Sequence, residues 1–125
     1  MWTIIKIKKD KRNFLKTNLK LILGNDIKIY SPKILIKRFI KNKLSKKEID
    51  LLGDYVFIFS NNFQKNSFKS LVRYCKGVKD FLPGFQNSQK EINEFINRCK
   101  NCENENGFLS NNFFEICENQ KYRFI

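Results

Sequence analysis

Apolar residues crowd the start of the chain, then fall at every third or fourth position, then alternate. From Trp2 to Lys8, Ile5 and Ile7 share one face while Trp2, Ile4 and Lys6 share the other, which predicts a first strand. In "DKRNFLKTNLKLILG", Phe14, Leu15, Leu19, Ile22 and Leu23 recur at helical spacing. Asp10 stands where an N-cap is needed and Gly24 where the helix should stop. "IKIYSPKILIKRFI" alternates through Ile27, Ile29, Ile34 and Ile36 and predicts one extended strand. Its Pro32 marks an edge or a bulge, because proline has no N–H to give to a ladder. "KNKLSKKEID" is polar and basic, and is expected as a hairpin tip or mobile loop. Tyr55 to Phe59 is β-branched or aromatic throughout, a buried strand entered through the turn residues Gly53 and Asp54.

A second helix is expected over "NSFKSLVRYCKG", with Phe68, Leu71, Val72 and Cys75 on its stripe and Gly77 ending it. "VKDFL" is a short strand and "PGFQN" a turn. "SQKEINEFINRCK" opens with Ser88 and Glu91 at capping-box spacing and carries Ile92, Phe95, Ile96 and Cys99 on one face. The expected order is β-α-β-β-α-β-α, an α+β, ferredoxin-like sandwich: an antiparallel sheet with helices packed mainly on one face. The expected domain is residues 1–102, followed by a linker over 103–112 and a short extension over 113–125. That fold hosts many unrelated functions and settles none by itself.

Composition changes the picture in one respect. Of 125 residues, 42% are hydrophobic and 14% aromatic, enough for a core, yet the net charge is +13. Such a balance points first to a polyanion: DNA, RNA or an acidic protein surface. A competing source is codon bias, since the chain is rich in Lys, Asn, Ile and Phe and contains no His and no Ala. No apolar run approaches the roughly 20 residues of a membrane span. The start "MWTIIKIKK" lacks signal-peptide order, so a cytoplasmic protein with reduced cysteines is expected.

Catalytic patterns are missing. With no His, the commonest general base and metal ligand is absent. There is no glycine-rich phosphate loop, nucleophile elbow or paired-carboxylate motif, so no enzyme activity and no cofactor are expected. "CKNC", Cys99 to Cys102, has the spacing of a zinc half-site, and Cys75 and Cys117 would complete a four-cysteine set. Cys75 and Cys99 also lie on apolar helix stripes, where a thiol is a small hydrophobe, and this reading is preferred.

Two basic clusters stand out. Lys6, Lys8, Lys9, Lys11, Arg12 and Lys16 run from the first strand into the first helix. Lys33, Lys37, Arg38, Lys41, Lys43, Lys46 and Lys47 run through the next strand and loop. A charge run is usually a solvated face, but the first cluster gathers near a helix N-terminus, where phosphates can be held. The strands "WTIIKIK" and "DYVFIFS" do not match the aromatic pattern of RRM-type RNA readers.

The landmarks, taken in order, resemble the N-terminal domain of NusG-type bacterial transcription elongation factors, including the specialised RfaH-like paralogues. "WTII" is similar to the family's opening strand, and "IYSPKI" to its second strand with a following proline. "LLGDYVFIF" stands where the family has a Phe-Pro-Gly-Tyr strand start. "LVRYCKGVKDFLPG" resembles its Leu-Val-Arg, Gly/Arg-Val, Phe, Gly run, and "SQKEINEFINR" its last helix. The likeness covers residues 2–100, and "FFEICENQKYRFI" resembles the start of the KOW domain that follows in the family.

The resemblance implies a monomer that binds RNA polymerase, bridging the DNA cleft from the largest subunit's clamp helices to the second subunit's gate loop and so suppressing pausing. By position, Lys6, Leu52, Phe81, Ile92 and Phe95 would line or border the clamp-helix pocket. Phe68, Lys69 and Ser70 would face the gate loop. Lys8, Lys9, Lys11, Arg12 and Lys76 match positions that lie near non-template DNA in the specialised paralogues. Gly53-Asp54 replaces the family's Pro-Gly, and Leu52 its pocket Phe. The smaller side chain weakens an aromatic anchor by about 1–2 kcal/mol unless the polymerase is co-adapted. The alternative is a stand-alone basic nucleic-acid-binding domain on the same fold.

Overall fold

The structure, a computed structural model, describes residues 1–110 and Phe113. The chain runs through β1 (Trp2–Ile7), a 3-10 turn (Lys9–Lys11), α1 (Arg12–Leu23), β2 (Lys28–Tyr30), β3 (Lys33–Ile40), β4 (Lys43–Asp50) and β5 (Tyr55–Phe59). A second 3-10 turn (Asn61–Gln64), α2 (Asn66–Arg73), β6 (Val78–Phe81), a third 3-10 turn (Phe85–Asn87) and α3 (Gln89–Asn101) follow. One antiparallel sheet has the order β2-β5-β1-β6; β3 and β4 form a separate two-stranded sheet, with one bridge from Lys33 to Phe108. The result is an α+β architecture, an antiparallel sheet with three helices, broadly compatible with a ferredoxin-like plan.

Alternation along β1 organises two cores. Ile5 and Ile7 join Val56 and Ile58 of β5, Leu15, Leu19 and Leu23 of α1, and Val72 of α2. Trp2 and Ile4 point the other way and join Phe57 of β5 with Ile92, Phe95, Ile96 and Cys99 of α3. The expectation that helices lie mainly on one face therefore needs correction for α3, which covers the opposite face. The cause is in β1 and β5 themselves: both their faces are apolar, and a sheet with two apolar faces needs cover on both.

The strand expected across Pro32 is broken; of "KNKLSKKEID", expected as a hairpin tip or mobile loop, Lys41 and Asn42 form the hairpin tip and Lys43–Asp50 form β4. β2 ends at Tyr30; the chain bends at Ser31–Pro32, where the Pro32 carbonyl accepts a 2.9 Å bond from Leu51 N–H. β3 and β4 then form a hairpin turned by Lys41 (φ 52°) and Asn42 (φ 62°), the two positive φ values that a type I′ turn requires. These two strands depart from the expected β-α-β-β-α-β-α order. Their pattern was hard to read because residues 37–48 are exposed, so no buried face imposes alternation.

Two expected caps are not made. Asp10 lies inside the first 3-10 turn, and α1 starts after Lys11 with no side-chain cap. Ser88 also makes no side-chain cap on α3. The neighbouring Gln89 instead completes β1: its Oε1 accepts from Trp2 N–H at 2.9 Å, and its Nε2 donates to the carbonyls of Trp2 (2.6 Å) and Phe85 (2.8 Å). β6 pairs with β1 only from Ile5 to Ile7, so Gln89 satisfies backbone groups that would otherwise lack a strand partner. Along α1 and α2, Phe14 and Leu71 were expected on the buried stripes but are 56% and 55% exposed.

Residues 103–110, expected within a linker, close back on the domain. Leu109 is buried and its N–H donates to Lys33 O at 2.9 Å, while Ser110 N–H donates to Cys102 O at 2.8 Å. The Tyr30 hydroxyl donates to Glu103 Oε1 at 2.6 Å. Burial, then the bond to Glu103, push the Tyr30 phenol well above its ordinary pKa. Phe113 is buried against Phe95, with ring centroids 6.1 Å apart. The rest of the extension expected over 113–125 lies outside the described residues.

Candidate partner-binding surfaces

Burial falls off toward one end of the sheet face that α3 covers. Trp2 and Ile4 of β1 and Phe57 of β5 are buried, but Lys6 and Tyr55 are only half-buried. Register places Lys6 opposite Tyr55 on one side and Asp80 on the other. The Lys6 ammonium lies 5.8 Å from the Tyr55 ring centroid, close enough for a cation–π contact. The β4–β5 turn adds Leu51 and Leu52 to this open end, both half-buried against the α3 core. Its backbone is tied by Gly53 N–H to Asp50 O (3.2 Å) and Tyr55 N–H to Leu52 O (3.3 Å), with Gly53 at φ 64°.

Of the expected clamp-facing residues, Lys6, Leu52 and Phe81 are partly exposed. Ile92 and Phe95 are not available to a partner, being 0% and 5% exposed within the core that α3 covers. Helical spacing identifies an apolar stripe but does not separate a core stripe from a contact stripe; here α3 turns its whole stripe inward. Phe81 stacks on Phe85 at 5.9 Å and meets Phe63 edge-on at 6.2 Å.

Phe81 also shares a groove of about 380 Å³ with Lys69, Arg73, Leu82 and Phe85, among others. One residue expected at the clamp helices and one expected at the gate loop thus line a single depression. Lys69 reaches over the Phe85 ring at 5.3 Å. Phe68 is half-buried with Lys65 over its ring at 5.7 Å, and Ser70 Oγ donates to Asn66 O at 3.4 Å on the exposed side of α2.

The basic corner assembles with one exception. Lys8 N–H donates to Gly77 O at 2.9 Å, joining the end of β1 to the start of β6. Lys8, Lys9 and Lys76 are exposed and Lys11 is half-buried. The exposed Lys9 ammonium lies 3.6 Å from Oδ1 of the half-buried Asp54, and Lys76 lies 5.7 Å from the Phe14 ring. Arg12, expected at nucleic acid, is instead engaged: it makes a two-pronged ion pair with Asp50, and its Nη2 donates to Ser31 Oγ at 3.2 Å. It ties α1 to the root of the β3–β4 hairpin, a long-range pairing that no local pattern could reveal.

Gly77 holds this corner. Its φ is +100°, and a Cβ there would lie 3.3 Å from Lys11 O and 3.4 Å from Lys11 Cβ. Gly77→Ala is expected to cost about 1–2 kcal/mol from backbone strain alone, read as a fall in the urea midpoint. Gly53→Asn is the comparison: its φ of +64° meets open space, asparagine tolerates that region, and little change is expected.

The cysteine set does not come together. Cys99 and Cys102 are buried in the core under α3, whereas Cys75 is buried in the core on the opposite sheet face. Burial raises the Cys75 thiol pKa. Cys117 lies outside the described residues, among which no group of three or more His, Cys, Asp or Glu could hold a metal ion. No helix among them is long and apolar enough to cross a membrane. No protein-family model matches the chain, and no curated protein matches it.

Proposed function

We propose that this chain is a NusG-type elongation or antitermination factor that binds RNA polymerase and performs no chemistry of its own. The observation that carries this reading is the half-buried apolar end of the α3-covered sheet face, where Leu51, Leu52 and Tyr55 pack on the core and Lys6 lies beside Tyr55. A group of half-buried apolar residues at the mouth of a strand, packed below and open above, has the form of a docking site. The four-stranded sheet is read as ferredoxin-like, with β3–β4 inserted as a hairpin between its second and third strands.

In this reading Leu52, Lys6 and Phe81 meet the clamp helices, and Ile92 and Phe95 support them from below. Lys69, with Phe68 and Ser70, faces the gate loop. Lys8, Lys9, Lys11 and Lys76 lie toward the non-template DNA, and Arg12 acts indirectly by fixing the hairpin root. The protein acts in the cytoplasm as a monomer on the polymerase. Holding both walls of the cleft at once opposes clamp opening, and pausing falls.

The test is elongation by the cognate polymerase on a pausing template. Addition of the chain is expected to shorten pauses, and unchanged pause lifetimes would overturn the reading. The exposed basic hairpin favours a second reading, a stand-alone nucleic-acid-binding domain. Salt separates the two: phosphate binding weakens steeply between about 50 and 200 mM, whereas an apolar clamp contact persists.

A further inference from the structure

The β3–β4 hairpin is the largest feature that the polymerase reading leaves without work. Each strand has eight residues, so the ribbon extends about 27 Å at roughly 3.4 Å per residue. It has no partner strand in the main sheet. Its root is fixed by Arg12 on Asp50, by Leu51 N–H on Pro32 O and by Leu109 N–H on Lys33 O. The outer part is therefore a projecting ribbon on a rigid base.

Charge is distributed unevenly along and across it. From residue 37 to 47 every charged side chain is basic: Lys37, Arg38, Lys41, Lys43, Lys46 and Lys47. The acidic Glu48 and Asp50 lie at the root. Directly opposed residues of an antiparallel pair share a face. One face carries Ile36 with Lys47, Arg38 with Ser45, and Ile40 with Lys43, and holds no acid. The other carries Leu35 with Glu48, Lys37 with Lys46, and Phe39 with Leu44. At the root, Lys47 and Lys9 line one cleft of about 310 Å³ together with Glu48 and Asp50, so the purely basic stretch is the outer part of the ribbon. The face that carries Leu35 and Lys37 borders the Asn104–Ser110 loop across another cleft.

We propose that the β3–β4 hairpin is a double-stranded-DNA-binding arm, entering the major groove with the face that carries Arg38, Lys43 and Lys47. A two-stranded ribbon fits the major groove of B-form DNA, about 12 Å wide, but not the deep, narrow one of duplex RNA. In that pose Lys43 and Lys47 reach phosphates, and Arg38 and Ser45, opposed at mid-ribbon, reach base edges. An anionic membrane would also attract the cations, and Phe39, Ile40 and Leu44 are exposed. The turn that would have to enter lipid, however, is Lys41–Asn42, flanked by Lys43. The cations also lie on both sides of these apolar residues, Lys41 and Lys43 ahead of them at the turn and Lys37, Arg38, Lys46 and Lys47 behind, so they run along the ribbon's length. Both features fit a phosphate track.

The inference rests on the charge and shape of the hairpin and stands apart from the polymerase reading. The test is fluorescence anisotropy of the full chain with a labelled duplex of about 20 base pairs, between about 50 and 200 mM salt. The triple variant R38Q/K43Q/K47Q is expected to bind at least tenfold more weakly at about 100 mM salt. It should also lower the salt slope by about 2, at roughly 0.9 per phosphate contact. All three positions are solvent-exposed, so the fold is retained. K37Q/K46Q on the other face should cost less than threefold. Full affinity of the triple variant, equal affinity for duplex RNA, or binding to phosphatidylserine vesicles without binding to DNA would each overturn the proposal. In nucleic-acid-free extracts the triple variant should still co-purify with RNA polymerase, so failure of the arm and failure of the polymerase reading are distinguishable.

Discussion

Phe57→Ala is expected to lower the unfolding free energy by about 3–5 kcal/mol, the range for deleting a buried aromatic side chain. Phe57 lies on β5, between β1 and β2, and is 0% exposed. Its ring is 5.8 Å from Phe95 of α3, 6.5 Å from Trp2 of β1 and 6.5 Å from Tyr30 of β2. Truncation therefore opens a cavity that α3 and both neighbouring strands share. Domains of this size are stable by about 5–15 kcal/mol in all, so much of the margin is lost. With a urea slope of about 1–3 kcal/mol/M, the midpoint should fall by more than about 1 M. Leu21→Ala, at a residue 82% exposed, should change stability by no more than about 0.5 kcal/mol. Equal midpoints for the two variants would contradict the packing described.

Leu52→Asp is expected to weaken polymerase binding by at least about 2 kcal/mol, roughly thirtyfold, while the fold survives. The two halves of this expectation have different causes. Leu52 sits half-buried in a turn, so a carboxylate there can turn toward water in the free protein. Against an apolar partner surface the same carboxylate must be desolvated without a counter-charge, the cost that makes central interface residues hot spots. Affinity for the purified polymerase and the urea midpoint of the free chain, measured together, check both halves. Unchanged affinity would remove Leu52 from the interface.

The parts of the fold legible in the sequence were those where burial imposes a period. β1, α1, β5 and α3 each present an apolar face, and each lies about where periodicity predicted it. β3 lay within the expected strand and a hairpin tip was one expectation for the segment after it; β4 itself was hidden because residues 43–48 meet water, and Pro32 was the main local sign of the break. Placement of α3 on the second face was available in principle, since Trp2, Ile4 and Phe57 make that face as apolar as the one beneath α1. Gln89 closing β1 and Arg12 holding Asp50 had no local signal, because each partner is distant in sequence. The same limit applies to the site. Helical spacing could not tell that Ile92 and Phe95 face inward, nor that Phe81 and Lys69 would border one groove.

The most direct measurement places a photo-crosslinking amino acid at position 52 and irradiates the chain with its cognate RNA polymerase. The expected product joins position 52 to the clamp helices of the largest subunit; a crosslink confined to another subunit, or none, would contradict polymerase binding through this surface.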